Sequence, residues 1–207
     1  MDVQGASVVQ PYVEKAHVTF PVAVDTADLV GQAFRLKAIP VSIFVDEVGI
    51  VRLRAGGPTE ELFGKIENLL QEPLSHVRGK MPNATANIAK SELERRVATD
   101  GPDWKSQVAL AQAYAQEGRL DEAIARLQRA TTVNPTESSV VFTWGLLLLE
   151  HGQKDAGLAK LKQARDVEPD NWRIRKQIWA IEHPEKFYTS ESPDYDWQNE
   201  QLKKEKQ

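Results

Sequence analysis

The stretch LAQAYAQEGRLDEAIARLQRATTVNP at residues 110–135 aligns without a gap with WGLLLLEHGQKDAGLAKLKQARDVEP at residues 144–169. Pro135 and Pro169 are 34 positions apart, and the other matched pairs share that offset. These pairs are Leu110 with Trp144, Ala111 with Gly145, Tyr114 with Leu148, Gly118 with Gly152, Leu127 with Leu161, and Ala130 with Ala164. Self-similarity at a fixed period of this length indicates stacked structural units, each of which buries its apolar face against the next.

The two copies resemble the tetratricopeptide repeat, which is a pair of antiparallel helices with a period of about 34 residues. In that pattern a small residue stands beside a large apolar one, as Ala111 and Gly145 do here, and further small residues lie where the second helix meets the first. Small residues at these points allow the helices to cross closely, and the closing proline ends the second helix because its ring cannot continue it. The resemblance implies all-α helical repeats that bind another protein or peptide.

Helical patterns also flank the two copies. Residues 86–99 suit a moderately amphipathic helix, and Asp170 or Asn171 can cap a later helix that ends before Pro184. This later helix has the spacing of a first repeat helix but lacks a partner, so we interpret it as the terminal cap that a repeat stack requires. We therefore assign residues 86–190 to a tetratricopeptide-type repeat domain with a capping helix, and residues 191–207 to a polar tail.

Residues 1–73 alternate strand-like runs with helical patterns, which favours an α/β layer. The strand-like runs are Phe20–Val24, Val41–Val45 and Ile50–Leu53, and the helical patterns begin near Val8, at Asp25 or Thr26, and at Thr59. The last two strand-like runs flank a turn at residues 46–49, so they predict a β-hairpin. Pro73, Gly79 and Pro82 interrupt a polar stretch, so residues 74–85 are predicted to be a linker.

FPVAVD at residues 20–25, a helix, KAIPVSIFVDEVGIVRLRAGG at residues 37–57 and a closing helix together resemble the later two-thirds of redoxin domains. Redoxins are thioredoxin-fold thiol oxidoreductases of the thiol-specific antioxidant superfamily. In that family the proline that matches Pro40 is cis and faces the active site, and the residue that matches Ile39 offers backbone hydrogen bonds to substrate. The resemblance implies an incomplete thioredoxin-like domain over residues 1–73 with a cis-proline site at Ile39 and Pro40. The residues themselves leave open a trans proline that starts a strand.

The redox cysteines of that family lie on a helix that precedes every element present here, and this chain contains no cysteine. No thiolate is therefore available to attack a disulfide or a peroxide, and we predict neither a catalytic residue nor a cofactor in this chain. Met1 falls where the family has an apolar residue such as valine. We expect the natural gene to continue upstream with a segment that holds a redox cysteine or selenocysteine. The alternative function is accordingly a thiol-disulfide or peroxide oxidoreductase whose catalytic segment is missing from this chain.

Composition excludes several other functions. The chain has 26 basic and 30 acidic residues and a net charge of -4, so it lacks the basic excess that nucleic-acid binding requires. Its four histidines are scattered and no cysteine accompanies them, which predicts no metal site. The sequence has neither a run of about eighteen apolar residues nor a secretory signal. We therefore predict no membrane span, and a cytoplasmic location for the chain as given; a segment upstream of Met1 would leave the location open.

Binding by such repeats is expected on the concave face that the first helices line. The register of the repeat predicts groove residues on three helices: Lys105, Gln112, Gln116, Phe142, Leu146, Arg173 and Lys176, with Val108 and Glu150 among them. Core packing is an open alternative for Phe142 and Leu146, and simple solvation for Arg173 and Lys176. Repeats that clamp a C-terminal carboxylate place lysine and asparagine where Val108 and Gln112 stand, so that ligand is not expected. A third possibility is that the repeats serve only to dimerise the chain.

Overall fold

The computed structural model of the chain describes residues 5–46, 49–57, 59–71, 90–99, 103–188 and 194–205. Over these residues the protein is mostly helical, with one small two-stranded sheet. The helices are α1 (Ala6–Lys15), α2 (Leu29–Ala33), α3 (Glu60–Gln71), α4 (Lys90–Thr99), α5 (Trp104–Gln116), α6 (Leu120–Val133), α7 (Ser138–Glu150), α8 (Lys154–Val167), α9 (Trp172–Glu182) and α10 (Tyr195–Glu205). A 3-10 turn at Pro184–Lys186 separates the last two helices.

The two aligned copies fold into successive helix hairpins, α5 with α6 and α7 with α8, as the sequence predicts. Gly118 and Gly152 follow the first helix of each hairpin, and their φ angles of 73° and 82° lie in the left-handed region that favours glycine. The chain can therefore reverse within three residues between the two helices of each pair.

The matched small and large apolar residues form the core of the hairpins. Leu110, Ala111, Leu127 and Ala130 are fully buried in one cluster, and Leu161 and Ala164 occupy the corresponding places in a second cluster. The second cluster continues into α9 through Ile174, Ile178 and Ile181. This continuity supports the interpretation of α9 as a cap over the last apolar face.

Asn171 rather than Asp170 caps α9. Its side-chain oxygen accepts the backbone N–H groups of Arg173 at 3.1 Å and of Ile174 at 3.4 Å. At the other end of the stack, α4 packs on α5, where the Tyr114 hydroxyl donates to Glu94 at 3.1 Å. The start of the helix predicted at residue 86 lies outside the described residues, as does the linker at residues 74–85.

The segment assigned from the sequence to a polar tail contains α10, which packs back on α9. Trp197 of α10 packs edge-on against Trp179, with ring centroids 5.8 Å apart. Glu205 accepts the indole N–H of Trp179 at 2.9 Å, and Gln198 is buried. Charged residues alternate with these in the sequence, so the tail looks polar although one side of it packs on α9.

The N-terminal part contains the predicted β-hairpin. β1 (Val41–Val45) pairs antiparallel with β2 (Val51–Gly56), so that Phe44 lies opposite Leu53. The Asp46 carboxylate accepts the backbone N–H of Ile50 at 2.8 Å and holds the turn. The Ile39–Pro40 peptide bond is cis, as the resemblance implies.

Phe20–Val24 forms no strand in the structure, so the prediction of a strand there is wrong. Pro21 has no N–H to give to a sheet, and Phe20 and Val22 are exposed. Among the described residues the sheet consists of the hairpin alone, with α3 beside β2. The thioredoxin-like fold stays a prediction. No helix in the described ranges is long and apolar enough to cross a lipid bilayer.

Candidate partner-binding site

The first helices of the stack, α5, α7 and α9, line one common face. A cavity of about 660 Å³ lies on this face, between these helices and residues 31–37 of the N-terminal part. Val108, Phe142 and Ile174 give it apolar walls, while Lys105, Gln112 and Ser139 supply polar groups. Polar and apolar side chains therefore line the cavity together, which makes it more polar than a typical pocket for a small molecule.

The predicted groove residues separate into three groups. Lys105, Gln112, Phe142 and Arg173 all line the cavity. Leu146 is fully buried within the core cluster of α7, α8 and α9, so core packing is the correct alternative for it. Gln116 is exposed near the end of α5, and Lys176 lies in a different hollow beside Trp172 and Tyr195.

A buried ion pair joins the two parts of the chain. Arg173 donates to both carboxylate oxygens of Asp28, and its Nη2 lies 3.1 Å from Oδ2. The Asp28 side chain is 0% exposed and that of Arg173 is 9% exposed. The Arg173 guanidinium also lies over the Phe142 ring, 4.5 Å from its centroid. Both charges give up hydration here, and the two-point pairing offsets much of that cost.

Residues 25–37 pack on the face of α5, α7 and α9 next to the Asp28–Arg173 pair. Gln32 donates from Nε2 to the Thr143 hydroxyl at 2.5 Å, and the backbone N–H of Arg173 donates to the carbonyl of Lys37 at 3.0 Å. The Lys37 ammonium pairs with Glu168. Ala27 is buried in the same cluster as Val108.

The Asp25 carboxylate orders this segment. It accepts the backbone N–H groups of Leu29 at 2.7 Å and of Val30 at 2.8 Å, so Asp25 rather than Thr26 supplies the predicted cap. These bonds satisfy amide groups that a five-residue helix leaves free at its start.

Asp28, Gln32 and Thr143 were not predicted as site residues. One signal in the sequence could have indicated the pair: Arg173 and Arg175 stand among apolar residues of a helix that must be buried, and a buried guanidinium requires a carboxylate. The identity of that carboxylate depends on a contact across 145 positions of the chain.

The unpaired positive charges at the cavity come from Arg35 and Lys105. Both side chains are exposed, and within the described ranges neither forms an ion pair. The Lys105 ammonium lies 5.7 Å from the centroid of the Trp104 ring. Glu137 also lines the cavity and has no ion pair in the described ranges, so the two free cations outnumber one free carboxylate, and the cavity can attract an acidic group of a partner.

We expect the stability of the protein to depend on the protonation of Asp28. Burial raises the pKa of the Asp28 carboxyl to about 6, with a smaller contribution from Asp25, while the hydrogen bond and charge of Arg173 oppose the rise. An unfolded aspartate has a pKa of about 3.9, so between these values the folded state binds more protons than the unfolded state. The contribution of Asp28 to the free energy of unfolding should therefore fall as the pH rises from about 4 to about 7.

Urea denaturation of the wild type and of Asp28→Asn at several pH values would measure this effect. The amide of the variant cannot titrate, so the difference between the two proteins isolates the one carboxyl group. The wild type should lose stability relative to Asp28→Asn as the pH rises from about 4 to about 7. A difference that rises with pH would show instead that the charge of Arg173 dominates the titration of Asp28.

Within the part of the chain that the structure describes, no group of three or more histidine, aspartate or glutamate side chains could hold a metal ion. A scan of the sequence against protein-family models finds no match, and neither does a search of curated proteins.

Proposed function

We propose that this chain is a protein-interaction module of the tetratricopeptide type, attached to a cysteine-free and incomplete thioredoxin-like segment. The observation that carries the proposal is the cavity on the face of α5, α7 and α9. Two hairpins at the tetratricopeptide period place their first helices side by side on that face, which is where repeats of this kind bind peptides.

The residues at the cavity suit a peptide better than a small apolar molecule. Val108 and Phe142 give apolar contact, while Gln112 and Lys105 offer a polar amide and a cation. Peptide segments present apolar side chains and backbone polar groups together, so such mixed walls can satisfy both.

The thioredoxin-like part of the proposal is supported by the order of its elements. A β-hairpin with an acidic turn at Asp46 is followed by α3, which packs on β2. The alternative function, thiol or peroxide oxidation and reduction, requires a thiolate. None of the 207 residues is cysteine, so this chain does not itself supply one.

Peptide selection on the purified chain tests the proposed function. Peptides from a random displayed library would be selected on the wild type and their affinities measured by calorimetry. We expect Lys105→Glu to weaken the selected peptides by about tenfold, since it reverses a charge at the mouth of the cavity. Arg129→Glu makes the same charge change on the exposed side of α6 and should alter affinity less than about twofold.

Equal affinities for the two variants and the wild type would place the binding site elsewhere. Failure to select any peptide on the folded chain would contradict the binding function itself.

A further inference from the structure

We propose that residues 25–37 are an intramolecular ligand of the repeat face, and that the face accepts the same pattern from a partner. The pattern is an aspartate, then a glycine three positions later, then a glutamine, as in Asp28, Gly31 and Gln32. This inference rests on the binding function proposed above. It names the partner as a peptide of that pattern, which competes with the chain's own segment.

The aspartate of the pattern is required by Arg173. The guanidinium is buried on the face, with its two terminal nitrogens directed at the Asp28 carboxylate. An occupant without a carboxylate at this point would leave a buried cation unpaired, which is strongly unfavourable. Arg173 therefore selects an acidic residue.

Glycine is favoured because little space is free beside Gly31. A side chain at Gly31 would place its Cβ against the Asp28 Oδ1 and the Arg173 Nη1, the atoms of the ion pair itself. Even alanine would push these groups apart. The face therefore favours glycine three positions after the aspartate, since any larger residue must displace the ion pair.

The glutamine is selected by the direction of one hydrogen bond. Thr143 is fully buried, and its hydroxyl donates its single hydrogen to the carbonyl of Ser139 at 2.9 Å. Its oxygen can then only accept, and it does so from the Gln32 amide at 2.5 Å. Glutamate, which has no N–H to donate when ionised, would place a charge against that oxygen without a hydrogen bond.

The segment is separable from the face because it has little structure of its own. Helix α2 has five residues, far fewer than an isolated helix needs in water, so its order depends on Asp25 and on the face. Val30 is 41% exposed on its outer side. The cavity beside residues 31–37 shows that the segment fills only part of the face, so a longer peptide has further room.

A labelled peptide of residues 25–37, DTADLVGQAFRLK, tests the inference in trans on the full chain by fluorescence anisotropy. Asp28→Lys in the chain places two cations together and should release the internal segment. If that segment occupies the face about 90% of the time or more in the wild type, the peptide should bind Asp28→Lys about tenfold or more tightly than the wild type.

Three variant peptides test the pattern on the Asp28→Lys chain. We expect the peptides that carry Asp28→Lys, Gly31→Ala or Gln32→Glu each to lose about tenfold or more in affinity. The Asp28→Lys peptide should regain binding on a chain that carries Arg173→Glu alone, because Asp28 of that chain is repelled by the new carboxylate while the lysine of the peptide pairs with it. A matched peptide with Thr26→Ser should bind as the parent does.

Circular dichroism must first show that the variant chains keep the helical content of the wild type, and Asp28→Asn replaces Asp28→Lys if they do not. Equal binding to the wild type and to the released chain, or no binding to either, would overturn the inference. If peptides selected from the library still depend on Lys105 in that case, the proposed function stands and only the internal ligand is rejected.

Discussion

Replacing Phe142 by alanine is expected to lower the free energy of unfolding by about 3 to 5 kcal/mol. Phe142 is 0% exposed and packs in the cluster that joins α7, α8 and α9. Its ring also lies beneath the Arg173 guanidinium. Alanine would leave a cavity in the core and remove the ring that supports the buried ion pair, so both losses act in the same direction.

Phe63→Ala is the matched control, since the same atoms are removed from a side chain of α3 that is 55% exposed. That variant should stay within about 0.5 kcal/mol of the wild type in guanidinium denaturation. If the two variants unfold together, Phe142 does not act in the core. A Phe142→Ala protein that kept its stability but lost selected peptides would restore the interpretation of Phe142 as a groove residue only.

The helix hairpins could be predicted from the sequence because the same pattern of small and large apolar residues occurs in two copies. Ala111 and Gly145 occupy equivalent places in the two copies, and so do Leu127 and Leu161. Agreement at several places with one offset distinguishes a repeat from a chance match. The turn glycines Gly118 and Gly152 are found at the same offset, both with positive φ. Local patterns of this kind need no knowledge of distant contacts.

Groove and core residues of α7 could not be separated in the same way. From Val140 to Leu149 that helix is apolar on nearly every side, so its periodicity does not show which side faces the cavity. Phe142 lines the cavity and also belongs to the core cluster, while Leu146, one turn later, lies entirely in the core. On α5, Lys105 and Gln112 stand among apolar residues, and both line the cavity.

The packing of residues 25–37 on the face of α5, α7 and α9 could not be predicted, because it depends on contacts between residues that are far apart in the sequence. The alternation of helix and strand in residues 1–73 says nothing of which surface α2 meets. Between Asp2 and Glu47 the chain has four acidic residues, and the sequence does not show which of them meets a buried arginine. Only the fold brings Asp28 to Arg173. α10 presents the same difficulty, since its packing depends on Trp197 meeting Trp179 of α9.

Replacing Gly145 by leucine is expected to cost about 1 to 3 kcal/mol or more of the free energy of unfolding. A Cβ at this position would lie 2.8 Å from the Leu161 Cδ2 and 3.0 Å from the backbone oxygen of Gly157. The second contact is with main chain, which moves only if α7 and α8 separate. Gly157 is restricted in the same way, because a Cβ added there would lie 2.8 Å from the backbone oxygen of Gly145. The two glycines therefore set the distance between the helices.

Gly64→Leu provides the control for this prediction. Gly64 lies within α3 with nothing within 4 Å of an added Cβ, so leucine there should stabilise the protein by about 0.5 to 1 kcal/mol through helix propensity alone. Thermal and urea denaturation of both variants would compare the same substitution at an open and at a closed position. A Gly145→Leu protein that melted with the wild type would mean that α7 and α8 do not cross at Gly145, and that the repeat register derived from the 34-residue offset is wrong.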